Sequence, residues 1–266
     1  GVLDFFIEKD LFFENNYGVS AGACHLCSYL AKQYKRAFRV NVDYLNDKRY
    51  CSVHSLLKTG NLFGAEMLYD IIPNELDLFD YDTYNKNESN FYVVITDINT
   101  GKPEYVKIGD LKKDIIYVRA SSSLPLLAQN VKINDKEYLD GGISDSIPIK
   151  KSIADGNKKN VVILTRDSTY RKGKNSLMPI IKLKYKKYPN FVKSMADRYI
   201  VYNEILDFIK ELEDNGDVFV IRPKKPVNIG RTEKNREKLE ALYNDGYNDA
   251  KDCYEELLKY LGKENL

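Results

Sequence analysis

The sequence predicts an α/β fold in which a mainly parallel sheet is covered on both faces by helices. Two observations predict it. Short apolar runs bounded by polar turns, typical of buried strands, occur at 91–96, 161–165 and 218–221, and helical patterns lie between them. The 266 residues are 43% hydrophobic and 30% charged, which is enough apolar content for one large packed domain and too much for a disordered chain.

The elements follow from local periodicity, in chain order. A helix to about residue 10 is followed by a short segment that ends at 17–20, and then by a longer helix. In that helix apolar side chains recur at i, i+3, i+4, i+7, i+8 and i+11 from Ala23 to Tyr34, which is one helix face. Ser20 is therefore predicted at a strand-to-helix junction.

The second half of the chain gives comparable predictions. Residues 131–139 read as a hairpin that turns at Asn134 and Asp135 and leads to Asp140. Helices are expected at 148–154 and 190–214, each followed closely by a glycine, and a charged helical tail at 232–261.

Composition limits the class of protein. The 41 Lys and Arg nearly balance the 39 Asp and Glu, and the formal charge of +2 argues against a uniformly basic nucleic-acid-binding surface. No apolar run approaches the ~18 to 20 residues of a membrane-spanning helix. Four cysteines are too few for a disulfide framework. We therefore expect a cytoplasmic protein that is soluble or peripheral at a membrane.

Gly18-Val19-Ser20-Ala21-Gly22 matches the nucleophile-elbow pattern, in which small residues let a strained serine lie between strand and helix. The positive end of the helix dipole there favours the negative charge that develops during attack. The alternative interpretation is a serine N-cap in a glycine-rich turn.

A serine nucleophile needs a base. In an α/β-hydrolase triad the order along the chain is Ser, then Asp or Glu, then His. Both histidines, His25 and His54, come before the later carboxylate candidates, and no histidine follows residue 54, so this order is not met. A carboxylate remains, and Asp140 is followed by Gly141 and Gly142, which permit close approach of another backbone segment. A plain Asp-Gly-Gly turn explains that motif equally well.

Taken together, the motifs resemble those of the patatin-like phospholipase family, in particular its bacterial cytoplasmic members. The likeness extends from residue 1 into the C-terminal helices and rests on four motifs, namely Gly18-Val19-Ser20-Ala21-Gly22, Arg119-Ala120-Ser121-Ser122-Ser123-Leu124-Pro125, Tyr138-Leu139-Asp140-Gly141-Gly142 and Pro148. The resemblance implies a three-layer α/β/α fold, hydrolysis of lipid acyl esters without a cofactor, and a dyad of Ser20 as nucleophile and Asp140 as base. It also implies an acyl hydrolase domain over 1–222 and a C-terminal helical extension over 223–266 packed on it.

One feature departs from the family pattern. Family members begin with a strand and a glycine-rich loop whose N–H groups form the oxyanion hole, and the sequence given begins after that position. Because one oxyanion donor is worth roughly 10²- to 10³-fold in turnover, we expect weak activity from this polypeptide alone. The backbone N–H of Ala21 is the candidate donor that remains. A non-catalytic lipid-binding or regulatory protein is the alternative function.

Three further patterns have competing interpretations. Cys24-x-x-Cys27 and Cys51-x-x-His54 have zinc-ligand spacing, but cysteines on an apolar helix face behave as small hydrophobic residues, and no metal is expected.

The basic, apolar stretch 171–193 predicts peripheral contact with an anionic membrane, or else a solvated face of lysines. Ser121, Ser122 and Ser123 either line the acyl pocket or contribute polar contacts near the dyad, or else they end a helix before Pro125.

Overall fold

The computed structural model describes residues 1–263. Eleven α-helices lie in this part of the chain: α1 (Val2–Glu8), α2 (Ala21–Leu30), α3 (Arg36–Val42), α4 (Val53–Thr59), α5 (Tyr81–Lys86), α6 (Leu111–Ser121), α7 (Ile149–Ala154), α8 (Met178–Lys184), α9 (Pro189–Asp214), α10 (Arg236–Asp252) and α11 (Tyr254–Leu261). A π-helix spans Met67–Leu76, and a 3-10 turn spans Gly141–Ile143. The strands are β1 (Asn15–Val19), β2 (Asn90–Asp97), β3 (Pro103–Ile108), β4 (Val131–Ile133), β5 (Lys136–Asp140), β6 (Asn160–Ile163) and β7 (Val218–Ile221).

The predicted α/β class is confirmed, with a sheet that is mixed where a mainly parallel one was expected. β1 runs parallel to β2, whereas β3 and β5 pair with β2 in the antiparallel direction. Short connections account for two of the antiparallel pairs, β2 with β3 and β4 with β5. β2 and β3 are separated by a short turn, and β4 and β5 form the predicted hairpin, so neither connection is long enough for a parallel crossover. β6 and β7 form a separate parallel pair.

Strand register places β1 and β5 on the same edge of β2. Val19 pairs with Val94, and Asp140 pairs with the next residue, Ile95. β3 occupies the opposite edge, since Val94 also pairs with Tyr105. β1 and β5 run in opposite directions, so their carboxyl ends meet head to head beside the middle of β2.

The main core covers one face of this sheet. Phe91, Val93 and Ile95 alternate along β2, as the period of two in a strand requires, and belong to one buried cluster with residues of α1, α2, α6 and α11. The C-terminal helices join this core through the Phe5 ring, which packs edge-on against Tyr247 and Tyr254 with centroids 5.3 and 5.2 Å away. The division of the chain at residue 222 stays a prediction.

A second buried cluster fixes α9 beside the end of β5. Ile181 of α8 and Phe191 and Met195 of α9 pack with Leu139 of β5 and Ile143 of the 3-10 turn. The next turn of α9 consequently passes the segment that follows Asp140. None of the helices in the described part of the chain combines the length and apolarity that crossing a bilayer requires.

Candidate active site

Ser20 joins β1 to α2 in a backbone conformation that side-chain-bearing residues rarely adopt. Its φ and ψ are 54° and −126°, and it occupies the N-cap position of α2. Such a conformation costs about 1 to 3 kcal/mol and persists where surrounding contacts impose it. One such contact comes from Ser121, a residue with no exposed surface at the end of α6: the Ser20 N–H donates a 2.8 Å hydrogen bond to its Oγ.

The side chain of Ser20 points at Asp140. Ser20 Oγ donates to Asp140 Oδ2 over 2.6 Å, although 120 residues separate the two in the sequence. The other carboxylate oxygen, Oδ1, accepts the N–H of Gly142 at 2.8 Å. The Asp140 N–H donates to the Ser123 carbonyl at 2.9 Å. The Ser121 hydroxyl therefore holds the backbone of Ser20, and the Ser123 carbonyl of the same segment holds the backbone of Asp140.

Asp140 is only 2% exposed, and burial raises the pKa of its carboxyl group above the ordinary value. The hydrogen bond from Ser20, the charge of Arg198 and the N–H of Gly142 oppose that shift. A carboxylate with a raised pKa is a stronger base than one in water. The pair thus combines a serine hydroxyl with the kind of acceptor that can remove its proton.

Gly18 and Gly141 allow the close approaches that this arrangement needs. A Cβ on Gly18 would lie 2.6 Å from Cα of Ala23, so β1 and α2 could not pack as they do. A Cβ on Gly141 would lie 2.0 Å from the Val94 carbonyl oxygen, in the backbone of β2. Both distances are shorter than real contacts, and neither obstacle is a flexible side chain.

The other residues of the two motifs lie around the pair. Gly142 faces Asp140 and α9, and a Cβ there would lie 3.0 Å from Asp140 Oδ1 and 3.1 Å from Nη2 of Arg198. A Cβ on Gly22 would meet no atom of residues 1–263 within 4 Å. Ala21 is exposed at the first position of α2, where an N–H has no intrahelical partner. Its role as an oxyanion donor stays a prediction.

Sequence reasoning missed Arg198. Its Nε donates to the Gly142 carbonyl oxygen, and its charge acts on Asp140. Nothing near residue 198 indicates this contact, since α9 reads as an ordinary amphipathic helix and the partner lies 56 residues away. For Ser121, the run of three serines before Pro125 was an indication, because polar contacts near the dyad were among its interpretations.

Within residues 1–263 no histidine or cysteine side chain is hydrogen-bonded to Ser20 or Asp140, although the charge of Asp140 acts on the Cys24 thiol and helps to raise its pKa. His25 approaches Asn41 at 3.4 Å, and His54 is exposed on α4. Cys24 is 3.3 Å from Ser122 Oγ, and Cys27 is buried in the main core. Within residues 1–263 no three His, Cys, Asp or Glu side chains are close enough to hold a metal ion.

Comparison with known proteins gives the family. A family model described as a domain of unknown function, DUF6363, matches residues 188–262. A protein of Escherichia coli strain K12 described as uncharacterized protein YjjU is 27% identical over 244 residues, which cover 85% of this chain. The chain spans 65% of the length of that relative. The patatin-like phospholipase model matches residues 1–152, more than half of the chain and both motifs of the site, and the chain therefore belongs to the patatin-like phospholipase family.

Proposed function

We propose that the protein is a serine hydrolase of lipid acyl esters, with Ser20 as nucleophile and Asp140 as base. The observation that carries the proposal is the 2.6 Å hydrogen bond from Ser20 Oγ to a buried carboxylate of raised pKa. Family membership supports the reaction class, because the matching family is described as patatin-like phospholipases. The division into a hydrolase domain over 1–222 and a helical extension over 223–266 belongs to the same proposal.

The proposed reaction has two steps. Asp140 takes the Ser20 proton while Oγ attacks the ester carbonyl, and the tetrahedral oxyanion forms near the N-terminus of α2, where the Ala21 N–H is the candidate donor. Collapse breaks the ester C–O bond, and the alcohol leaves with the proton from Asp140, so an acyl group stays on Ser20. Asp140 then deprotonates water, which attacks the acyl group and releases the carboxylic acid. Ser20 recovers its proton from Asp140, which returns to the carboxylate form.

Labelling with a serine-directed fluorophosphonate, read by intact mass, tests this function on protein expressed from its complete natural gene. We expect one adduct on the wild type and none on Ser20→Ala or Asp140→Ala, because the hydroxyl is activated only when both are present. Ser123→Ala is the matched control, since the Ser123 Oγ bonds only the Arg119 carbonyl. Absence of an adduct on folded wild type, with retained lipid binding, would instead support the non-catalytic lipid-binding alternative.

The second part of the proposal concerns the membrane. Three exposed apolar side chains follow one another along α8: Leu177 at its N-cap, Ile180 and Leu183, which are 49%, 54% and 73% exposed. Ile181 and Tyr185 anchor the same helix in the second cluster. Lysines 182, 184, 186 and 187 lie among them. An apolar ridge flanked by lysines fits peripheral contact of residues 171–193 with an anionic bilayer.

Co-sedimentation with vesicles of stated composition tests this contact. We expect binding to phosphatidylglycerol vesicles that weakens with salt, and little binding to phosphatidylcholine vesicles. Replacing Lys182, Lys184, Lys186 and Lys187 by Gln should abolish the difference. If the quadruple variant binds phosphatidylglycerol vesicles as the wild type does, the docking role is wrong, whatever the outcome of the labelling experiment.

A further inference from the structure

Four cationic side chains from three separate segments lie close enough for their charges to act on one another, on the α9 side of Asp140. Arg166 and Lys172 belong to the loop after β6, Arg198 to α9, and Arg231 to the loop before α10. Two tyrosine rings link the first two: Lys172 Nζ lies 4.5 Å from the Tyr202 centroid, and Arg166 Cζ lies 5.2 Å from the Tyr170 centroid. The two rings pack edge to face at 6.0 Å. We call Arg166, Lys172, Arg198 and Arg231 the cation cluster.

The cation cluster is held in place from several directions. Arg166 Nη1 donates to the Val227 carbonyl at 2.7 Å, which joins the loop after β6 to the loop before α10. The Asn203 side chain accepts the Lys172 N–H at 2.8 Å and donates to the Lys172 carbonyl at 3.1 Å, which fixes that loop on α9. Arg198 is bonded to the Gly142 carbonyl. The Arg166 and Arg198 side chains and the Lys172 backbone are therefore held in place, so that these residues lose less freedom when they bind a ligand.

The charges of the cation cluster are not neutralised by ion pairs. Within residues 1–263 none of its four side chains lies within 4.0 Å of a carboxylate oxygen, whereas the adjacent Arg171 is paired with Asp207 at 2.5 Å. Burial and the charges of Arg198, Arg231 and Arg166 lower the pKa of Lys172 to about 8. Asp140 is the carboxylate whose charge acts on Arg198. Four like charges around partly buried aromatic rings are the arrangement expected of an anion site.

We infer that the cation cluster binds a phosphate group carried by the acyl-ester substrate. The cluster adjoins the dyad, because Gly142 lies between Asp140 Oδ1 and Arg198 Nη2. A phosphate close to the scissile ester, as in acyl esters of glycerol 3-phosphate, matches this placement. The inference rests on the proposed function for its substrate. The site itself can be tested without turnover.

The kinetic test uses two soluble substrates that differ only in the phosphate, 1-hexanoylglycerol 3-phosphate and 1-hexanoylglycerol. Short chains keep both monomeric, so that membrane contact plays no part. We expect the wild type to favour the phosphate ester in kcat/KM by about 10- to 100-fold, the range of a few charge-assisted hydrogen bonds. Lys172→Gln and Arg231→Gln should each reduce that ratio about tenfold. Lys225→Gln, an exposed charge of the same loop as Arg231, is the control and should leave the ratio unchanged.

The binding test uses calorimetry on Ser20→Ala with glycerol 3-phosphate and inorganic phosphate. Binding of glycerol 3-phosphate that Lys172→Gln weakens at least tenfold supports the site even if neither ester is hydrolysed, in which case the proposed function alone is wrong. Equal binding of inorganic phosphate together with a substrate ratio near 1 would indicate a site for free phosphate and overturn the substrate assignment. No binding of either probe would overturn the site.

Discussion

Replacing Ser121 by alanine removes the acceptor that holds the backbone N–H of Ser20. The bond is 2.8 Å long and has little access to water, since Ser121 is fully buried. Alanine fills nearly the same volume, so the change leaves the N–H unpaired with little repacking. The variant therefore isolates one contact that imposes the strained conformation of Ser20.

Two terms set the magnitude. A buried donor left without a partner costs about 1 to 3 kcal/mol. The strain at Ser20, with φ of 54°, is of similar size, about 1 to 3 kcal/mol, and the part of it that relaxes when this support is lost offsets part of that cost. We therefore expect Ser121→Ala to lower the free energy of unfolding by about 1 to 2 kcal/mol. Relaxation of the Ser20 backbone misaligns Oγ with Asp140, and the rate of fluorophosphonate labelling should fall about 10- to 100-fold.

Urea unfolding and labelling kinetics measure the two effects on one preparation. Ser123→Ala is the matched control, because it removes a buried hydroxyl of the same segment whose bond is local, to the Arg119 carbonyl. We expect the control to lose less than about 1 kcal/mol, since such a local bond adds little to helix stability, and to label at the wild-type rate. Equal stability and equal labelling rates in the two variants would refute the assigned role of Ser121.

Three further predictions concern the dyad and the cation cluster. In urea unfolding, Ser20→Gly should be about 1 kcal/mol more stable than Ser20→Ala. Glycine adopts the positive φ without strain, and this gain outweighs the greater entropy that glycine gives the unfolded chain. Equal stability of the two variants would contradict a strained backbone at Ser20. Burial raises the folded-state pKa of Asp140, so stability falls as pH rises from the ordinary carboxyl pKa through the raised one; in urea unfolding, Asp140→Asn should be more stable than the wild type at pH 7 but not at pH 3. The preference for the phosphate ester in kcat/KM should decline as pH rises through about 8, where Lys172 loses its charge, while Lys172→Gln should show no such decline.

The sequence predicts the elements next to Ser20 and Asp140 well, because each of them depends on residues that are close together in the chain. The elbow, the helix after it and the hairpin before Asp140 follow from spacing and turn chemistry within about 20 residues. Excluding the histidines leaves a carboxylate as base, and the structure brings Ser20 and Asp140 together. Their catalytic roles remain proposals.

The contacts that orient the pair are long-range, and local patterns do not encode them. Ser121 meets Ser20 across 101 residues, and Arg198 meets Gly142 across 56. The head-to-head meeting of β1 and β5 depends on register against β2, which single-strand periodicity leaves open. β3 was missed for a related reason, because its burial pattern lacks the apolar alternation by which strands are recognised.

The cation cluster and the dyad are linked electrostatically, with a consequence for the pH profile. The charges of Arg198 and Arg231 lower the pKa of Asp140 and so weaken it as a base in the free protein. A bound phosphate offsets those charges, so the pKa of Asp140 should be higher in the substrate complex. The pH profile of kcat reports pKa values in the substrate complex, and that of kcat/KM reports those of the free enzyme. For the phosphate ester, the acid limb of the kcat profile should then lie at higher pH than the acid limb of the kcat/KM profile.

For the neutral ester no phosphate is present to offset the cations, and the two limbs should coincide. Comparing both pH profiles for the two hexanoyl substrates measures this directly. Coincident limbs for both esters would show that the cations act on Asp140 alone and not through the substrate. Separate limbs for the phosphate ester only would mean that the substrate strengthens the base proposed to deprotonate Ser20, which ties recognition of the phosphate to activation of Ser20.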